Sequence, residues 1–181
     1  MKLNSLLLDA DVVIDAHSLG MWDKLLAQNR VHIGAVVLRT EVKYYIDNNG
    51  RRRNINLMSQ HRAKKITELS ATLEEQRILK KRFDAVLGPK LDPGETESLV
   101  ILERIPELIF CTFDYAAIIA VVLLGMGNRV ISFETVLKKC GLSRRLQRKH
   151  SGERFKHIVK TAQLMRVMGQ GLVPPGFQGR N

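Results

Sequence analysis

The stretch LNSLLLDADVVID, residues 3–15, decides how the rest of the chain is read. Leu6, Leu7 and Leu8 form an unbroken apolar run, as in a short strand buried on both faces. Asp9 follows directly, at a place where an ordinary sheet needs no acid. Apolar residues then recur at helical spacing over 12–27. A buried strand, an acid at its carboxyl end and a helix behind it begin an alternating α/β pattern.

The pattern continues along the chain. A second strand is expected at 31–33. A helix is expected over 36–46, with Val37, Leu38, Val42, Tyr45 and Ile46 apolar, stopped by the Asn48-Asn49-Gly50 turn signal. Residues 51–57 read as a short strand or exposed loop. Residues 59–87 read as helical, in two pieces broken near 70–72, and Gly88-Pro89 ends them. Asp92-Pro93-Gly94 starts a helix over 95–104, with acids in the first turn where the helix dipole favours them. A strand at 107–111, a nearly all-apolar helix at 116–126, a strand at 129–132 and a helix at 134–139 follow. The tail has further helical potential over 153–168. The expected fold class is therefore α/β, a central parallel sheet of four to five strands flanked by helices. Residues 1–142 read as one domain containing a basic helical segment, 51–90. Residues 143–181 read as a basic, partly helical and flexible C-terminal extension. In open parallel sheets ligands bind beyond the carboxyl ends of the strands, which is where Asp9 and Asp114 fall.

The chain of 181 residues carries a net charge of +11, unevenly placed. Residues 138–181 hold +10 and residues 51–90 hold +7, which leaves −6 for the remainder. An acidic centre between basic segments suits a protein that holds metal centrally and phosphates around it. Two cysteines, Cys111 and Cys140, are too few for a disulfide scaffold or a zinc site. They read as inert thiols in a reducing cytoplasm. The N-terminus does not read as a signal peptide. The longest apolar stretch, 116–124, is too short to cross a bilayer, so no membrane partner is expected.

Four carboxylates sit at or just beyond the ends of apolar runs: Asp9, Glu41, Glu97 and Asp114. Converging like charges repel unless a cation neutralises them. Carboxylates and water suit Mg²⁺ or Mn²⁺, and the basic remainder suits a polyanion. Asp9 and Asp114 have an alternative role as helix N-caps. Glu41 shares a helix face with Val37 and so is expected to point inward; the alternative is a salt bridge to Arg39 or Lys43. Glu97 is preferred as the ligand, although it stands where a capping residue could, with Glu95 as support, more simply a partner of the helix dipole. Asp11 and Thr112 are further supporting candidates. Phosphate contacts are expected from Arg51, Arg52 and Arg53 and from Arg144, Arg145, Arg148 and Lys149. No aromatic RNA-binding motif is present, and the five histidines are scattered. Neither GxGxxG nor GxxxxGK[ST] occurs, which weighs against a nucleotide-binding regulator.

With these motifs assembled, the chain resembles a PIN domain, the compact α/β nuclease fold of VapBC-type toxins and RNA-processing factors. The resemblance rests on LLLDADVVID, HIGAVVLRTEV, LDPGETESLVIL (a GExE-like motif) and IFCTFDYAAIIAVVLLGMGNRVIS, in that order, over residues 3–137. It implies a Mg²⁺- or Mn²⁺-dependent endoribonuclease with Asp9, Glu41, Glu97 and Asp114 as metal ligands and no catalytic histidine. It also implies a homodimer and, for the toxin branch, an antitoxin protein that covers the site. Glu97 stands where the family more often has Asp. The competing expectation is a non-catalytic nucleic-acid-binding module of PIN-like fold.

Overall fold

The computed structural model describes residues 5–142 and 146–174. Leu6–Leu8 and their neighbour form the first strand, β1 (Ser5–Leu8). It is followed by α1 (Ala10–Ser18), α2 (Trp22–Gln28) and β2 (Arg30–Gly34). The apolar spacing over 12–27 predicts one helix. The chain breaks it at Gly20, whose φ of 64° is open to glycine and leaves the helical region.

Two further departures concern the basic middle of the chain. Residues 36–46 do not form one helix. A single π-helical turn, Val37–Glu41, gives way to a strand, β3 (Tyr44–Ile46), paired antiparallel with β4 (Arg52–Asn54). Tyr44, Tyr45 and Ile46 ahead of the Asn49-Gly50 turn favour a strand and hairpin over a helix. Residues 59–87 contain a strand as well as helices: α3 (Leu57–Arg62), β5 (Thr67–Leu69) and α4 (Leu73–Lys80). Lys64, at φ 56°, is the only non-glycine residue with positive φ among the described residues, and it ends the α3 segment. Thr67, Glu68 and Leu69 then pair with His32, Ile33 and Gly34 of β2.

The second half follows expectation more closely: α5 (Pro93–Arg104), β6 (Ile109–Cys111), α6 (Tyr115–Leu123), β7 (Val130–Ile131) and α7 (Phe133–Lys139). The helical potential of the tail is realised as α8 (Gly152–Val167). It buries Ile158 and Ala162 against α6, and the chain beyond it bonds back to residues 82–84 through Val173, Leu172 and Gly171.

Five strands form one parallel sheet in the order β5-β2-β1-β6-β7. Side-chain alternation splits its core in two. Leu6, Leu8, Ile33 and Cys111 face α1, α2 and α7, whereas Leu7 and Phe110 face α5, α6 and α8. Leu6, Leu7 and Leu8 are wholly buried, each stabilising the fold by about 1.5–3 kcal/mol. Among the described residues no helix is long and apolar enough to cross a membrane.

A carboxylate cluster at the switch point of the sheet

The strand order reverses between β1 and β6: from β1 the chain moves outward to β2 and β5, and from β6 outward to β7. Such a switch point opens a crevice at the carboxyl ends of the two central strands, because their connections leave in opposite directions. Asp9 ends β1 there, and Thr112, Phe113 and Asp114 end β6 there. The two ends are tied together: Asp9 N–H donates to the Cys111 carbonyl at 3.2 Å. The Thr112 hydroxyl donates to Asp9 Oδ2 at 2.7 Å and accepts from the Asp114 N–H at 3.0 Å. Thr112 is wholly buried, so its role is to fix the Asp9 carboxylate and the turn that carries Asp114.

The capping alternative for Asp9 and Asp114 is realised. Asp9 Oδ1 accepts from Ala10 N–H at 2.8 Å at the start of α1, and Asp114 Oδ1 accepts from Ala117 N–H at 2.9 Å at the start of α6. Capping does not exclude a second function, because a carboxylate has about four lone-pair sites and these bonds use few of them. The helix α5 enters the same crevice by its N-terminus. There Asp92 and Glu95 form a reciprocal capping box, with Glu95 N–H donating to Asp92 Oδ1 at 2.7 Å and Asp92 N–H donating to Glu95 Oε2 at 3.0 Å.

The electrostatics show which acids face one another. Asp9 is only 5% exposed, and its pKa is raised to about 7, chiefly by burial. The hydrogen bonds from Thr112 and Ala10 oppose the rise, and the charges of Asp92 and Asp11 add to it. Glu95, also 5% exposed, is raised to about 9 by burial and then by Asp114, Asp92 and Asp9. Burial raises Glu41, with Asp92, Glu97 and Asp11 adding to the shift and a 3.1 Å bond from Gly94 N–H opposing it. Asp11 is likewise raised by burial, opposed by Lys149 and pushed further by Asp15, Asp114 and Asp92. Asp9, Asp92, Glu95 and Asp114 thus act on one another, with Asp11 and Glu41 at the margin.

Glu41 reaches the crevice through the π-helical turn, where Val42 N–H bonds to the Val37 carbonyl. Gly94 leaves room for it: a Cβ there would collide with the Glu41 carboxylate. Glu97, the preferred ligand of the sequence reading, is placed differently. At 2% exposure its Oε2 accepts from Val36 N–H at 2.7 Å and its Oε1 from Ala71 N–H at 3.2 Å. Gly34 makes way for it, since a Cβ there would meet Glu97 Oε2 at 2.7 Å. Both oxygens are engaged in joining α5 to the loops after β2 and β5, and Glu95 is the glutamate that faces Asp9 and Asp114. Glu97 also adds to the charge felt by Glu41.

Cations gather beside Asp11, Asp15 and Phe113. Lys149 Nζ lies 2.6 Å from Asp15 Oδ2 and 4.9 Å from the Phe113 ring centroid. Buried His150 bonds through Nε2 to the same Asp15 oxygen at 2.7 Å and packs edge-on against Phe113 and Phe133. Arg154, at the start of α8, donates to the Phe113 carbonyl at 2.8 Å. Arg148, Lys149, Arg154 and His157 line a cleft with Ser151 and Glu153. Arg144 and Arg145 lie outside the described residues. Arg51 and Arg52 are exposed on the β3–β4 hairpin, and Arg53 pairs with Asp47 at 2.8 Å. Asp92 and Arg154 were not singled out from the sequence as site residues. The Asp92-Pro93-Gly94 helix start was the available signal for the first, and the second had none.

Oxygen donors of this kind suit a hard divalent cation in chemistry. Among the described residues, however, no three Asp, Glu, His or Cys side chains are grouped as a ready-made metal site. Their oxygens are turned onto Ala10, Thr112, Asp92, Gly94 and Ala117. Holding an ion requires side-chain rotation of Glu95 and Glu41, both at the end of flexible arms. Fold and site together define an α/β protein with a carboxylate-lined crevice at the switch point of its parallel sheet. Comparison with protein-family models, with curated proteins and with solved structures finds no match.

Proposed function

We propose that the chain is a Mg²⁺- or Mn²⁺-dependent ribonuclease of PIN-like type that hydrolyses RNA phosphodiester bonds at the switch-point crevice. One observation carries the reading: buried Asp9 and Glu95, each 5% exposed, and Asp114 stand where β1 and β6 end and α5 begins, at the switch point of a parallel sheet. A divalent cation there would activate water and offset charge building on the phosphate. Asp9, Asp114, Glu95 and Glu41 are the side chains that would hold it, with Asp92 and Asp11 close enough to add charge. Thr112 keeps Asp9 aimed into the crevice, and the Phe113 carbonyl anchors Arg154, which with Lys149 and Arg148 takes the phosphates flanking the cleaved bond. A homodimer, and an antitoxin segment over the crevice, belong to the same proposal.

A second reading, a nucleic-acid-binding module without catalysis, is favoured by one observation: the carboxylates are already engaged as caps. Cleavage separates the two. Purified protein is expected to degrade mixed RNA with Mg²⁺ or Mn²⁺ and not with EDTA, and the Asp9→Asn/Asp114→Asn protein is expected to lose at least 100-fold in rate while retaining RNA binding. Binding without cleavage under every metal condition would leave only the module.

A further inference from the structure

The β3–β4 hairpin is the one two-stranded ribbon among the described residues, and its outer face is unusual for a surface. Tyr44 and Ile46 alternate onto the same face and are 41% and 48% exposed, whereas Tyr45 between them packs towards His17 of α1. Ile46 lies opposite Arg52 and Tyr44 opposite Asn54. The Arg52 guanidinium sits across the diagonal, 3.9 Å from the Tyr44 ring centroid. Among the described residues Arg52 has no acidic partner, and the acid of the hairpin, Asp47, is taken by Arg53 and by the turn amides of Asn49 and Arg51. Arg51 is exposed beside it, and Lys43 precedes the strand. The face thus presents an aromatic ring, a guanidinium plane and an aliphatic side chain within a cationic surround.

The ribbon is fixed relative to the carboxylates. Tyr44 follows Glu41 by three residues, a reach of at most about 11 Å. Its far end is tied to α1, where the Ser18 hydroxyl donates to the Ile46 carbonyl at 3.0 Å. An apolar, exposed face whose surrounding charge is positive calls for a partner that is planar, apolar on its faces and anionic along its backbone. Unpaired nucleobases meet that description; duplex RNA hides its base faces and presents only phosphate and sugar.

We propose that Tyr44 and Arg52 form a stacking platform for an unpaired base, and that the ligand of this face is single-stranded RNA leading into the crevice. The placement beside Glu41 rests on the nuclease reading; the platform itself does not. Binding of labelled oligouridine and of a labelled RNA duplex is measured by fluorescence anisotropy in EDTA, so that no cleavage intervenes. Tyr44→Ala is expected to weaken single-strand binding by roughly 5- to 150-fold, the loss carried by one stacked base. Its salt dependence should be unchanged, duplex binding should be unaffected, and Tyr44→Phe should bind as the wild type does. Arg52→Ala is expected to weaken binding and to reduce the salt slope by about one. Equal binding by wild type and Tyr44→Ala overturns the platform, as does equal loss for single strand and duplex. A platform that passes while no metal condition gives cleavage overturns the nuclease reading alone.

Discussion

At pH 8 in EDTA, the Asp9→Asn and Glu95→Gln proteins are expected to melt above the wild type, although both substitutions fall at the heart of the site. The reason lies in proton linkage. Folded Asp9 and Glu95 retain protons to about pH 7 and about pH 9 respectively, whereas in the unfolded chain they ionise near pH 4. Their contribution to stability is therefore fully present below about pH 4. It is lost progressively as pH rises through the folded values, because the unfolded state then binds fewer protons than the folded one. A neutral amide escapes that loss. The gain is on the order of a few kcal/mol, about 5 °C or more in Tm for a chain of this size. At pH 4 the difference should vanish. Thermal melts across pH 4–9 check this, and wild-type and variant curves that run parallel would mean that the two acids are not crowded in solution.

Glu97→Ala is expected to have the opposite character. Both Glu97 oxygens accept backbone N–H groups, from Val36 and from Ala71, at 2% exposure. Truncation leaves two donors unsatisfied and a void beneath Gly34. At about 1–3 kcal/mol for each orphaned donor, the fold should lose roughly 2–6 kcal/mol at neutral pH. Glu97→Gln should lie between, because its amide can accept from one N–H but sets its own NH₂ against the other. Denaturant unfolding measures the loss. A Glu97→Ala protein with wild-type stability but impaired metal binding would restore Glu97 to the ligand role that the sequence suggested.

The different surroundings of Glu95 and Glu97 show where sequence reading runs out. Leu6, Leu7, Leu8 and Asp9 declare a buried strand and its acidic end locally, and Cys111 to Asp114 do the same, so the parallel sheet and the two central carboxylates were legible. Residues 95 and 97 lie about 200° apart around one helix. Which of them meets Asp9 depends on how α5 docks, and no local pattern records that. Strand β5 was hidden for a related reason: Thr67, Glu68 and Leu69 stand in a highly charged segment and become a strand through the backbone of β2. Asp92 looked like a helix start and is one; its second role arises because α5 begins beside the ends of β1 and β6. The hairpin was obscured by apolar residues at 42, 45 and 46, which fit a helical period as well as a strand and turn.

The central claim is that the crowded acids at the switch point are a site for a divalent cation. It is tested most directly by calorimetric titration of the RNA-free protein with Mn²⁺ at pH 7, in buffers of different ionisation heat. Because Glu95 and part of Asp9 are protonated at that pH, binding should release protons into the buffer. The Asp9→Asn/Glu95→Gln protein, folded and more stable in EDTA, should show neither binding nor release. Absence of binding by the wild type, or binding with the same proton count in the double variant, would contradict the account.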